Sequence, residues 1–454
     1  YIMRKQKKLR RLRYKKGRFV EFPPVADKEF AHLPGLEASS CFHLFLSHAW
    51  PLGQDVCKLI KQRCREICPS LRVFLDVEDL ASGSGTNEVD HSRCILVFAM
   101  PVYFEKVNCV KELTRSIVRD KLITLLLPDS EVHGTFTQDM ITDIVTDGWV
   151  KSWKLEVKLA EWAKDWGVAE IKTPTASEIC AALFQQPPLE WSRITPFQDR
   201  TMVLMCERLL PKGDNRGIYL QGATSFELPK QHAAVTVFCS RHNLGAAELA
   251  KELNNRFSIH KMQKSASSFS SSSTNLRSHG SSSTNLRDLG RGAATGQLLE
   301  VADRFHLLCE FMLVYLNANT WSHAPEQLAN DIREAMANGA KLQLCHEFPS
   351  AIDPQSARAA LPFKDLMDMT PSDLKKNPNN IYSEIAVALK GGALRDVGLA
   401  NVAKKLAAPR KLIKPLPEND WRRPSYLRAA IEKKAFFVRN MSSQMSESRR
   451  DSKV

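Results

Sequence analysis

One carboxylate, Glu112, stands in the segment Asn108-Cys109-Val110-Lys111-Glu112-Leu113, directly after an apolar run. Ser47, His48 and Trp50 close an earlier apolar run, and Tyr103 follows the later one. Between them, Asp76, Val77, Glu78, Asp79, Leu80, Ser82, Gly83 and Gly85 make an acidic stretch with glycines. In an open α/β sheet, the loops at the carboxyl ends of the strands gather the binding site. A carboxylate there could do charge-stabilising work on a ligand.

The elements that must position these residues are legible in the apolar pattern. Residues 42–47, 71–75, 95–99 and 122–127 read as strands, the third nearly all apolar, as in a strand buried on both faces. Helical spacing runs through 53–68 and 108–119, and Pro69 and Pro128 punctuate the ends. Strands alternating with helices predict a doubly wound parallel sheet. Asp76 to Gly85 reads as a loop.

The 454 residues suffice for two or three domains. The net charge of +14 resembles a nucleic-acid signal, but ten Lys/Arg and no acid fall between residues 4 and 18, leaving only +4 elsewhere. So local a patch disfavours nucleic acid as a partner. It resembles the cytoplasmic flank of a membrane helix, attracting anionic headgroups at about 1 kcal/mol per residue. We therefore expect residues 1–24 to be a basic juxtamembrane segment at the cytoplasmic side of a membrane. A solvated tail or localisation signal is the plainer alternative. No run of 18 apolar residues is present.

Eleven cysteines are scattered along the chain. Cys57, Cys64 and Cys68 fall on one helical face, which is core spacing rather than a zinc knuckle. No metal site and no cofactor is expected. A P-loop, a GxGxxG after a strand, HExxH and GxSxG are all missing from the sequence.

Residues 149–230, with Trp149, Trp153, Trp162, Trp166 and Trp191, read as a helical connector whose indoles serve packing rather than base stacking. The first pattern then recurs. AVTVFCS parallels CFHLFLS, CEFMLVYL parallels CILVFAMPVYF, and KLQLC parallels KLITLL. First-to-third-strand offsets are 52 and 74; removing the 24 residues 264–287 from the second leaves 50. The Ser-rich segment 264–296 contains a ten-residue duplication, SSSTNLRSHG and SSSTNLRDLG, and its composition suits a disordered insert. Residues 411–454 read as a basic, mostly disordered tail.

Taken together, FLSHAW, FLDVEDLASGSG and LVFAMPVYFEKVNCVKEL resemble the motifs of a TIR (Toll/interleukin-1 receptor) domain over residues 38–148. A diverged second copy over 231–410 is similar more weakly. The basic start plus tandem domains resembles the cytosolic region of large receptor-like membrane proteins of protists and algae. The resemblance implies a flavodoxin-like doubly wound parallel sheet, in two copies joined by a helical connector.

Two functions follow from the resemblance. TIR domains associate with one another, so Asp76, Val77, Glu78, Asp79 and Leu80 become candidate contact residues of the BB loop. The partners would be other TIR domains, in a homo-oligomer or an intramolecular pair. Some TIR domains instead cleave NAD+ at the nicotinamide–ribose bond, and Glu112 matches their key glutamate. NAD+ would then be the substrate, with Ser47, His48, Trp50, Ser82, Gly83, Gly85 and Tyr103 lining its pocket. A carboxylate suits the oxocarbenium-like charge that develops on the ribose. Asn108 departs from the Trp often found before the Cys. The plain alternative for Glu112 is a solvent-facing residue paired with Lys111 or Arg115. In the second copy the matching helix holds Glu326 but no Cys-x-x-Glu-Leu. Association is therefore the main expectation and NAD+ cleavage the alternative.

Overall fold

The computed structural model describes residues 10–25, 41–79, 88–129, 136–167, 171–211, 217–223, 235–257, 299–302, 309–353 and 358–408. In chain order the first half contributes β1 (Leu12–Tyr14), β2 (Phe42–His48), α1 (Trp50–Ile67), β3 (Val73–Phe74), α2 (Asp76–Asp79), β4 (Ser92–Phe98), α3 (Val107–Val118) and β5 (Leu122–Pro128). It continues with α4 (Gln138–Ile144), α5 (Asp147–Ser152), α6 (Leu155–Trp166), α7 (Ala176–Leu183), β6 (Leu189–Trp191), α8 (Thr195–Leu209) and β7 (Ile218–Leu220). The second half contributes β8 (Val235–Phe238), α9 (Ala246–Phe257), β9 (Leu299–Ala302), β10 (Phe311–Leu316), α10 (Pro325–Ala337), β11 (Lys341–Glu347), α11 (Phe363–Met369), β12 (Val387–Leu389) and α12 (Arg395–Ala407).

The chain is mixed α/β, with two five-stranded parallel sheets ordered β3-β2-β4-β5-β6 and β9-β8-β10-β11-β12. Both orders place the second strand outside the first and the later strands on its other side, an arrangement compatible with a flavodoxin-like fold. Side-chain alternation divides each sheet into two apolar faces. Leu44, Leu46, Cys94 and Leu96 pack with α1 and α8, whereas Phe45, Ile95, Val97 and Ile123 pack with α3 and α7. Each such buried side chain contributes about 1.5–3 kcal/mol. Cys57 and Cys64 on the inner face of α1, and Cys68 just past its end, are fully buried free thiols.

Three sequence expectations change in detail. The segment 149–230 is not only helical: β6 lies within it and pairs with β5, as Leu126↔Leu189, to complete the first sheet. Within the basic start, the described residues 10–25 are folded. β1 pairs antiparallel with β7, and Leu12, Tyr14, Val20 and Phe22 are buried, because alternate apolar residues within the basic run can face a core. Arg10 is ion-paired to Asp199, while Lys15, Lys16 and Arg18 stay exposed at the turn that follows. Finally, Asp76–Asp79 is a helical turn rather than open loop.

Residues 264–296 and 411–454 lie outside the described residues, as does the lower part of the basic run. No helix among the described residues is long and apolar enough to cross a membrane.

The sheets meet through their fifth strands and the helices that follow them. Lys390, just after β12, is buried and donates from Nζ to Glu190 Oε1 on β6 (2.5 Å) and to the Pro349 carbonyl (2.9 Å); Asp129 Oδ1 lies 3.4 Å away. Ser350 Oγ and the Ala351 amide occupy Glu190 Oε2. Beside this polar knot, Phe197 of α8 packs against Leu394 and Val397 at the start of α12.

Candidate functional site

Register decides which expected residues meet. Ser47 and His48 end β2 opposite Val97 and Phe98 of β4. Adjacent strand residues point to opposite faces, so Ser47 turns toward α3 and His48 toward α1. This separates two residues that the sequence reading grouped in one pocket. The alternation of period two was the signal that could have separated them.

Ser47 Oγ donates to Glu112 Oε2 at 2.6 Å, and Tyr103 OH lies 2.7 Å from Ser47 Oγ. Ser47 has a single proton to give, so Tyr103 is the donor to Ser47. Tyr103 sits in the 3-10 turn Pro101–Glu105. That turn is held from behind, since the indole nitrogens of Trp149 and Trp153 both donate to the Phe104 carbonyl. Cys109, one turn before Glu112, donates its thiol to the His48 carbonyl. The expected packing role of the tryptophans thus bears directly on the candidate site.

Glu112 is 8% exposed. Burial pushes its carboxyl from the ordinary 4.5 up to about 8; the Ser47 hydrogen bond opposes this rise and the Asp76 charge adds to it. The carboxyl is therefore protonated at neutral pH, able to donate a proton but carrying little negative charge. Neither alternative ion pair forms, because α3 spends its cations elsewhere. Arg115 makes a two-pronged pair with buried Asp90, at 2.9 and 2.8 Å, and Arg119 binds the same carboxylate. Lys111 reaches Asp165 at 3.5 Å.

His48 is buried on the other face. Its Nδ1 lies 3.3 Å from the Leu46 carbonyl, and its Nε2 is buried with no partner among the described residues. Burial lowers its pKa, against the Leu46 carbonyl and the Asp76 charge. Gly53 makes this packing possible: a Cβ there would stand 2.9 Å from His48 Cβ and 3.2 Å from the Phe98 ring.

Trp50 is 56% exposed and donates its indole N–H to Asp76 Oδ2 at 2.9 Å. Val107, at the start of α3, is also exposed. Asp79 accepts from the Leu75 amide (2.7 Å) and from the buried Lys61 Nζ (2.5 Å). Two of the acidic residues expected to form a contact face thus have partners within the chain. Val77 and Glu78 lie with them in α2. Leu80, Ser82, Gly83 and Gly85 lie outside the described residues.

The sequence reading overlooked Lys61. Its position between Cys57 and Cys64 on the apolar face of α1 was the available signal, since a buried ammonium requires a carboxylate partner. It also overlooked Asp90, Glu190 and Lys390, whose partners are far away in sequence.

Comparison with models of known protein families and with curated proteins finds no match to this chain.

Proposed function

We propose that this chain is an intracellular signalling module that acts through association of TIR-like domains, two of which it holds as an intramolecular pair. The observation that carries this reading is contact between corresponding elements: β6 and α8 of one sheet meet the region of β12 and α12 of the other. Each is the fifth strand of its sheet with the helix after it. Like surfaces meeting like surfaces is how self-associating domains pair. The shared strand order and the three sequence motifs support a common origin for the two units. Trp50 and Val107 offer an exposed apolar edge for further copies, and Lys15, Lys16 and Arg18 suit an anionic membrane surface.

Concentration-dependent light scattering of the whole chain, free and on anionic vesicles, tests the reading. Association should rise with concentration and weaken in the double variant Trp50→Ala, Val107→Ser. A chain that stays monomeric under every condition overturns association between chains and leaves only the intramolecular pair.

A second reading, NAD+ cleavage at the nicotinamide–ribose bond, is favoured by the strongly perturbed carboxyl of Glu112 near the carboxyl edge of the first sheet. Its burial and neutral form at pH 7 weigh against a charge-stabilising role. Nicotinamide release by wild type and Glu112→Ala decides. Turnover in the wild type that is lost in the variant supports cleavage, whereas absence of turnover in both, on vesicles as well as in solution, removes it.

A further inference from the structure

The second sheet has a cleft of about 210 Å³ at its carboxyl edge, lined among others by Gly245, Glu248, Tyr315, Asn317, Arg358 and Arg395. It opens between β8 and β10, the strands at which the order of the sheet reverses, where open α/β sheets bind ligands. The cleft lies on the face covered by α9 and α12. Glu112 occupies the other face of the first sheet, on the helix after the third strand. The two sites therefore do not correspond.

The cleft is preformed. Gly245 has φ +89°, and a Cβ there would stand 2.6 Å from the Tyr315 ring, so backbone and aromatic ring meet without a side chain between them. Asn243 ties the two rim segments together, donating to the Tyr315 carbonyl (2.8 Å) and accepting from the Tyr315 amide (2.7 Å). Asn317 adds a bond to the Leu244 carbonyl at 3.2 Å.

The charges at the back of the cleft are spent on each other. Arg395 binds Glu252 through Nε and Nη2 and Glu347 through Nη1, and Tyr315 OH donates to Glu347. Glu248, exposed in the first turn of α9, and Arg358, 3.4 Å from Asp353, add one negative and one positive charge to the wall. Counted together, Glu248, Glu252, Glu347 and Asp353 set four carboxylates around the two guanidiniums of Arg358 and Arg395, which disfavours a multiply charged anion. A ligand carrying one charge of each sign suits both walls.

We propose that this cleft binds a small zwitterion of the free α-amino-acid class, its ammonium toward Glu248 and its carboxylate toward Arg358. The volume suits a solute of that size. The proposal stands independently of domain pairing.

The test titrates the whole chain with each of the common free amino acids by calorimetry, with inorganic phosphate as the anionic control. At least one amino acid should bind saturably and raise the melting temperature. Glu248→Gln and Arg358→Gln should each weaken that binding about tenfold or more. Both residues are at least partly exposed, and melting without ligand verifies that each variant folds; if Arg358→Gln melts early, Glu248→Gln carries the test. Absence of saturable binding by any amino acid, or binding unaffected by both substitutions, overturns the proposal. So does tight phosphate binding that Arg358→Gln weakens and Glu248→Gln strengthens.

Discussion

Ser47 and Glu112, 65 positions apart, are joined by a 2.6 Å hydrogen bond from the end of a central strand to the inner side of α3. Burial around this bond keeps Glu112 a neutral acid, although the bond itself favours the charged form. The folded chain holds the Glu112 proton more tightly than the unfolded chain does. Stability should therefore fall as pH rises from about 4.5 to about 8 and level off above that. The loss is on the order of a few kcal/mol. In Glu112→Gln, which keeps an acceptor for Ser47, this component of the slope should vanish, leaving the variant more stable than wild type at pH 8. Urea unfolding across the pH range measures it, and identical slopes in the two proteins would falsify the assignment.

Asp90 behaves in the opposite sense. Burial alone would raise its pKa, but Arg115 and Arg119 together hold it below the ordinary 3.8. Its contribution is complete above that value and is lost as pH falls through the lower folded value. Asp90→Ala takes the paired carboxylate from the buried Arg115 guanidinium and should cost about 3–5 kcal/mol at neutral pH. Chemical denaturation is the check; a cost below about 1 kcal/mol would mean the pair is dispensable.

Lys390 and Glu190 form a buried ionic link between the two sheets. Lys390→Met leaves Glu190 with two neutral donors and no cation, so a loss of about 3–5 kcal/mol is expected. Adding Glu190→Gln should restore part of it, because the nearer of the two carboxylates that face Lys390 is then neutral. Strictly additive effects in the double variant would argue against direct coupling.

Gly53→Ala sets two effects against each other. Alanine favours a helix over glycine by about 1 kcal/mol. The added methyl, however, meets His48 and Phe98 inside van der Waals range, and overpacking costs about 1–3 kcal/mol. We expect a net loss of stability with altered His48 titration, followed by thermal unfolding and by imidazole NMR. A stabilised variant with an unchanged His48 signal would show that the face has room to spare.

Much of the scaffold was legible in the residues. Continuous apolar runs at 95–99 and 122–127 needed sheets covered on both faces, and Cys57 and Cys64 marked the inner side of α1. The candidate edge was legible too, because strand ends gather loops whatever the side chains. The three-residue strand β6 was not: it is too short to show a period, and only pairing with β5 makes it a strand. Nor was the helical turn at Asp76, whose partner Trp50 is 26 positions away.

The sequence by itself determined the parallel sheets and the apolar faces, since backbone pairing and burial follow from local pattern. Only the tertiary structure decided what the charged groups do. Asp90 and not Glu112 captured Arg115, Glu190 captured Lys390 from 200 positions away, and Glu112 turned inward to Ser47. The physical reason is that local pattern sets which backbone segments pair. The charge state of a carboxyl depends on its solvent and neighbours, and those exist only once distant segments have packed together.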